Sequence, residues 1–124
     1  MSHATDTGKH GENLAEIFLK QKGYDIRHRH FRFRNGELDI VAESKTFIVI
    51  VEVKTTDLRR HDESAFGEPE TWLTSKKQKF LKQAAEYYLA KYPAPEKDCR
   101  FDLITVRLRS DGEEIRHIEN AFWM

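Results

Sequence analysis

The stretch Phe47-Ile48-Val49-Ile50-Val51-Glu52-Val53-Lys54 decides the fold. It is apolar at both parities as far as Val51, whereas a strand with one wet face would alternate. Its β-branched residues favour an extended chain. A strand covered on both faces lies at the centre of a sheet with a layer on either side, which is an α/β arrangement. Glu52 and Lys54 then share a face with Ile48 and Ile50, because successive side chains alternate. A carboxylate and an ammonium at the end of a buried strand must be partnered or reach a cleft, since unpaired buried charge is costly.

Working outward, Ser44–Thr46 reads as a turn and Glu37–Glu43 as the preceding strand. Asn35-Gly36 is a two-residue hairpin signal, before which Tyr24–Arg34 is extended. Tyr24 and Ile26 have one parity and Phe31 and Phe33 the other, which predicts a bulge near His28–His30. From Gly8 to Lys22, Leu14, Ile17, Phe18 and Leu19 recur at helical spacing with Gly23 as the C-cap, and residues 1–7 are expected to be a loose tail. Downstream, residues 55–72 lack periodicity and read as a long loop. Thr74 to about Tyr92 forms a second helix with Leu81, Ala84, Ala85 and Tyr88 on one stripe. Arg100–Leu108 and Glu113–Glu119 are strands joined at Asp111-Gly112. The order is α-β-β-β-α-β-β, predicting a mixed central sheet flanked by helices in a single domain over 8–124.

Composition narrows the function classes. The 124 residues carry 21 Lys+Arg against 21 Asp+Glu, which argues against a diffusely basic nucleic-acid coat protein. The single cysteine, Cys99, excludes an internal disulfide and a Cys-based zinc site. No apolar run approaches the roughly 20 residues of a membrane span, and the polar start Met1 to Glu12 is not a secretory signal. A cytoplasmic protein without a membrane partner is expected.

The charges that carry chemistry are sorted by place. Pairing through the Ser44–Thr46 turn matches residues whose numbers sum to roughly 90, which puts Asp39 opposite a residue near Val51 and lets it approach Glu52 if its parity matches. Glu12, at the start of the first helix, stacks above Ala15 and Leu19 on the border of the apolar stripe, and small Ala15 lets that helix approach the sheet. Three carboxylates and a lysine in one cleft suit Mg²⁺ or Mn²⁺, which bind hard oxygens, bridge to phosphate and activate water. With a lysine nearby to orient that water or stabilise the developing charge, this would be phosphodiester hydrolysis; the plainer reading of Glu52-Val53-Lys54 is a surface ion pair. Arg27, Arg29, Arg32 and Arg34 are either a phosphate-contacting strand or an edge protected by charge, with Phe31 and Phe33 turned to the core. Arg59 and Arg60 in the loop could clamp a substrate backbone. Of the helix lysines 76, 77, 79 and 82, most read as a solvated face, and Lys76 is the candidate for the cleft. His28 and His30 share a parity, but no further ligand joins them.

Gly8-Lys9-His10-Gly11-Glu12, Gly36-Glu37-Leu38-Asp39-Ile40, Val51-Glu52-Val53-Lys54, Arg100-Phe101-Asp102 and Ile118-Glu119-Asn120-Ala121-Phe122 together resemble the bacterial YraN family. The resemblance runs from Gly8 to Phe122. It implies a restriction-endonuclease-like fold and a PD-(D/E)xK site similar to that of archaeal Holliday junction resolvases, in which Glu12, Asp39 and Glu52 would be metal ligands and Lys54 the catalytic lysine. Lys76 matches a position that is usually Lys in the family. Thr55-Thr56 departs from the family pattern, in which Arg usually stands second, so that phosphate contact is not carried over. The resulting expectation is a Mg²⁺-dependent endonuclease-like protein acting on DNA, branched or repair intermediates included. The alternative is a non-catalytic nucleic-acid-binding or protein-interaction module on the same fold. Phe122-Trp123 could contribute to a homodimer.

Overall fold

The apolar run becomes the middle strand of a five-stranded sheet in a computed structural model that describes residues 6–59 and 72–123. The elements are α1 (Asp6–Gln21), β1 (Asp25–Phe33), β2 (Gly36–Glu43), β3 (Phe47–Asp57), α2 (Ser75–Lys91), β4 (Asp98–Arg109) and β5 (Gly112–Phe122). The sheet order is β1-β2-β3-β4-β5, antiparallel except for the parallel β3–β4 pair that α2 connects. This is the α/β architecture and element order expected of the restriction-endonuclease-like fold. Among the described residues no helix is long and apolar enough to cross a membrane.

Alternation along β3 divides the core in two. Ile48 and Ile50 join Leu38, Leu81, Ala84, Ala85, Tyr88 and Phe101 beneath α2, while Val49 and Val51 join Ala15, Leu19, Ile40, Ile104 and Val106 beneath α1. The helices therefore cover opposite faces, which is why this strand tolerates no polar residue until Glu52.

Several boundaries move. Helix α1 begins at Asp6, inside the segment expected to be a tail, and the rest of that segment lies outside the described residues. Strand β3 continues through Thr55 and Thr56 to Asp57, because β4 pairs with it all the way to Leu108. Arg60 and most of the expected loop lie outside the described residues. Both hairpin turns sit one residue earlier than expected. Phe33 pairs with Gly36 and Arg109 with Gly112, leaving Arg34-Asn35 and Ser110-Asp111 as the loops. Arg34 takes the positive φ of its turn, and Gly36 is small for another reason: a Cβ there would lie 2.6 Å from the Phe80 ring of α2. Phe122 stacks on Phe101 with ring centroids 4.6 Å apart and belongs to the core, whereas Trp123 is 76% exposed.

The expected irregularity in β1 is present. Its register shifts between Ile26 and His28, and His30 has φ 55°. The bulge sends the two histidines apart, His28 to the Tyr88 hydroxyl at 2.6 Å and His30 to Glu12 at 2.9 Å, so they do not form a metal pair.

Helix α1 lies tight against the sheet at Gly11, where a Cβ would fall within the Thr55 side chain. Gly11→Ala must push the helix away, and that strain outweighs the gain of about 1 kcal/mol in helix propensity. A net loss of about 1–2 kcal/mol is expected, read as a lower urea midpoint with an unchanged slope.

Candidate active site

The site arises where the sheet divides. Strands β2 and β3 pair only from Ile40↔Val51 to Glu43↔Ile48, although both continue beyond. Past Ile40 the β1–β2 hairpin separates from the β3–β4–β5 half. Asp39 is the first residue in the gap, and its Oδ2 accepts a hydrogen bond from Val53 N at 2.9 Å, taking over where the backbone ladder stops. Glu52 is its neighbour on β3, and the two carboxyls lie within hydrogen-bonding reach of each other.

The pair is mostly but not fully buried, and the electrostatics follow. Burial, reinforced by the Asp39 charge, pushes Glu52 up to about 8 from 4.5. Asp39 is raised as well, by burial first and by the charge of Glu12, against the opposing pull of the Val53 N–H. The cation on the pair is Lys77, from the first turn of α2, with Nζ 2.8 Å from Glu52 Oε2. Burial disfavours the Lys77 charge, but Glu52 and Asp39 more than offset it and hold its pKa above the ordinary lysine value. Glu52 Oε1 is buried with no donor among the described residues.

The other assigned residues are placed differently. Lys54 shares the Glu52 face but is exposed two residues further on, with its ammonium 5.7 Å from the Trp72 ring centre. Glu12 belongs to α1, on the opposite face of the sheet, and approaches Asp39 through the gap. Its Oε1 is held by His30 Nε2 at 2.9 Å and Arg29 Nη2 at 3.3 Å. His30 Nδ1 reaches Glu37 at 3.0 Å, so one imidazole bridges the carboxylate behind the gap to one at its front. Among the described residues no set of three acids, histidines or cysteines is placed to hold an ion. The structure thus joins Asp39 and Glu52, adds Glu12 at longer range, and puts Lys77 where Lys54 was expected.

The basic residues also separate. Arg29 is taken up by Asn13, Glu12 and Glu16 of α1, and Arg27 lies 3.9 Å from Glu43 and over the Tyr88 ring. Arg32 and Arg34 are exposed near the hairpin tip, Arg34 over Phe33. Arg59 is exposed at the end of β3 and doubly bonded to Asp57. Lys76 is exposed and lines a cleft of about 360 Å³ with Asn35, Gly36, Glu37, Thr74, Lys77 and Phe80. That cleft lies between the hairpin and the start of α2 and leads to the carboxyl pair through Lys77. Sequence reasoning missed Lys77, His30 and Glu37. Only the clash of lysines with the positive end of the α2 dipole, which calls for a compensating acid, pointed toward Lys77.

Fold and site together define an α/β domain with a buried carboxyl pair at the split of a mixed sheet. The family model described as "Uncharacterised protein family UPF0102" matches residues 11–106. The chain is 39% identical over 125 residues to a UPF0102 protein of Chlorobium phaeobacteroides, covering 94% of each chain. It is 42% identical to relatives from Caldicellulosiruptor saccharolyticus (94% of this chain, 97% of the relative) and Thermodesulfovibrio yellowstonii (95% and 96%). The chain belongs to the UPF0102 family, the YraN family of the sequence resemblance.

Proposed function

We propose that this protein is a divalent-metal-dependent phosphodiesterase acting on DNA, with Asp39 and Glu52 as its metal-holding pair. The observation that carries this reading is the pair itself, two largely buried carboxyls side by side, with no N–H on Glu52 Oε1 among the described residues. Two adjacent carboxyls in a largely buried gap oppose folding, and well-packed apolar side chains would serve stability better. The donors suit Mg²⁺ or Mn²⁺, because such ions take one or two protein carboxylates and complete their shell with water and phosphate oxygens. A bound cation would supply charge against a scissile phosphate and lower the pKa of a water.

The chain's own residues supply the rest. Asp39 is fixed in orientation by Val53 N, and Glu12 adds negative charge behind it that favours a cation. Lys54, exposed on the Glu52 face and resting over Trp72, would have to swing toward the pair to orient the attacking water. Lys76, which lines the cleft, and the exposed Arg32, Arg34 and Arg59 take backbone phosphates of the bound strand. Phosphate binding by these side chains makes affinity fall with salt.

The test is cleavage of duplex, nicked and four-way-junction DNA with Mg²⁺ or Mn²⁺. Asp39→Ala should lower the rate more than about 100-fold, the scale on which loss of one charge-stabilising group acts in a buried site. EDTA should abolish cutting. Cleavage that persists in Asp39→Ala would remove the assignment, and salt-sensitive binding without cutting would favour the non-catalytic module.

A further inference from the structure

We infer that Lys77 is a built-in stand-in for the metal: its ammonium and a divalent cation are alternative occupants of the Asp39–Glu52 pair, and the arriving ion releases Lys77 into the cleft. This rests on the phosphodiesterase reading and adds a residue that reading does not assign.

The geometry makes the two occupants exclusive. Lys77 Nζ lies 2.8 Å from Glu52 Oε2. A divalent ion on the same carboxyl would stand within a few ångströms of the ammonium, and like charges so close repel strongly where water is scarce. Of the two partners, Lys77 can leave. Its side chain is 38% exposed, rises from the first turn of α2 and has a flexible four-carbon stem, whereas the Glu52 side chain is 17% exposed and fixed on a central strand. Lys77 is also an incomplete occupant. It serves one Glu52 oxygen, Oε2, and leaves Oε1 with only the neighbouring Asp39 carboxyl within reach, so a hydrated cation could take the side of the pair that the ammonium does not cover.

Release has a destination. Lys77 lines the cleft of about 360 Å³ beside exposed Lys76. Once off Glu52, its ammonium joins Lys76 facing that space, where a DNA phosphate is the natural partner. The carboxyl pair is thereby kept compensated in the resting protein, and a second phosphate-binding cation appears only when the metal is in place. Lys54, over Trp72, takes no part in the exchange.

Mn²⁺ binding to the full chain, followed by calorimetry and by the electron paramagnetic resonance of free Mn²⁺, tests this without measuring cleavage. Lys77→Met, which keeps most of the stem and removes the charge, should bind Mn²⁺ about tenfold more tightly than the wild type, equivalent to about 1.4 kcal/mol. Lys54→Met should not bind more tightly. Lys77→Gln is the second variant, and circular dichroism checks both folds. In ¹⁵N-lysine spectra of the wild type, Mg²⁺ should shift the Lys77 ammonium resonance as its ion pair breaks. Equal or weaker Mn²⁺ binding by both Lys77 variants would overturn the exchange while leaving the carboxyl pair as a metal site. No Mn²⁺ binding by wild type or variants would overturn the phosphodiesterase reading and the exchange together.

Discussion

Glu52→Gln is expected to stabilise the protein at pH 8 and above while eliminating metal-dependent cleavage. The sign follows from linkage. In the folded chain burial and Asp39 raise Glu52 from 4.5 to about 8, so between those values the native state holds a proton that the unfolded chain has lost. Stability associated with Glu52 is complete below pH 4.5 and drains away as pH rises through about 8. Glutamine does not titrate, so its advantage should be absent at pH 4, grow across the window and level off above it. At about 1.36 kcal/mol per unit the shift corresponds to a few kcal/mol. Loss of the Lys77 ion pair offsets part of this, leaving on the order of 2 kcal/mol, or roughly 6–10 °C in melting temperature for a domain of this size. Melting curves in EDTA from pH 4 to 9 measure it. A variant that melts at or below the wild type at pH 9 would show that the pair is not held against its own repulsion. With Mn²⁺ added, the wild type should recover stability by mass action and the variant should not.

Such a gain from removing a charged residue would mark a site where stability is given up for chemistry. It also explains what the sequence disclosed. The apolar run 47–51 could only be a central strand, and a buried strand ending in Glu52 announces its own cleft, so fold and carboxyl pair were both legible. Pairing arithmetic found Asp39 because a short turn fixes the antiparallel register, and the observed Ile40↔Val51 pair lies one residue from that expectation. What stayed hidden depends on side chains crossing between elements. Parity puts Lys54 on the Glu52 face but two residues further along, about 7 Å, which is enough to reach Trp72 and miss the pair. Lys77 arrives from a helix whose docking is set by Tyr88, Leu81 and Phe80 against the sheet, contacts that no local pattern encodes. Arg29 looked like a phosphate ligand because its three acceptors lie on α1, at least 13 residues away. The turn shifts have a local cause: in both hairpins the glycine belongs to the second strand, and the loop is the pair before it.

Asp102 supports the largest stability effect expected away from the site. Its side chain is fully buried on β4 and accepts from Arg100 Nε at 2.9 Å and Nη2 at 2.8 Å, from His117 Nε2 at 2.6 Å and from Asn120 N at 2.9 Å. Lys22 Nζ lies 2.9 Å from His117 Nδ1, so this hydrogen-bond pattern assigns the Nε2–H tautomer to His117. The cluster sits where the β4–β5 register shifts, between Phe101 and Leu103, and the carboxylate takes the Asn120 N–H that the shift leaves unpaired at φ 56°. Burial raises the Asp102 pKa, but the bonds from His117, Arg100 and Asn120 outweigh it and hold the carboxyl below 3.8. Asp102→Ala strands a buried guanidinium and a backbone N–H together, and about 3–5 kcal/mol of stability should be lost at pH 7. Because the folded pKa is depressed, the contribution is fully present above the unfolded value near 3.8 and is lost as pH falls through the folded one. Asp102→Asn, which keeps an acceptor but not the charge, should therefore be less stable than the wild type at pH 7, by about 2 kcal/mol, and the difference should narrow when pH is lowered to about 3. Urea unfolding at the two pH values measures it, and an unchanged difference would mean that shape, not charge, holds β5 at this point. Glu12, Asp39 and Glu52 are not part of this cluster, so Mn²⁺ affinity in the folded Asp102→Asn protein should match the wild type.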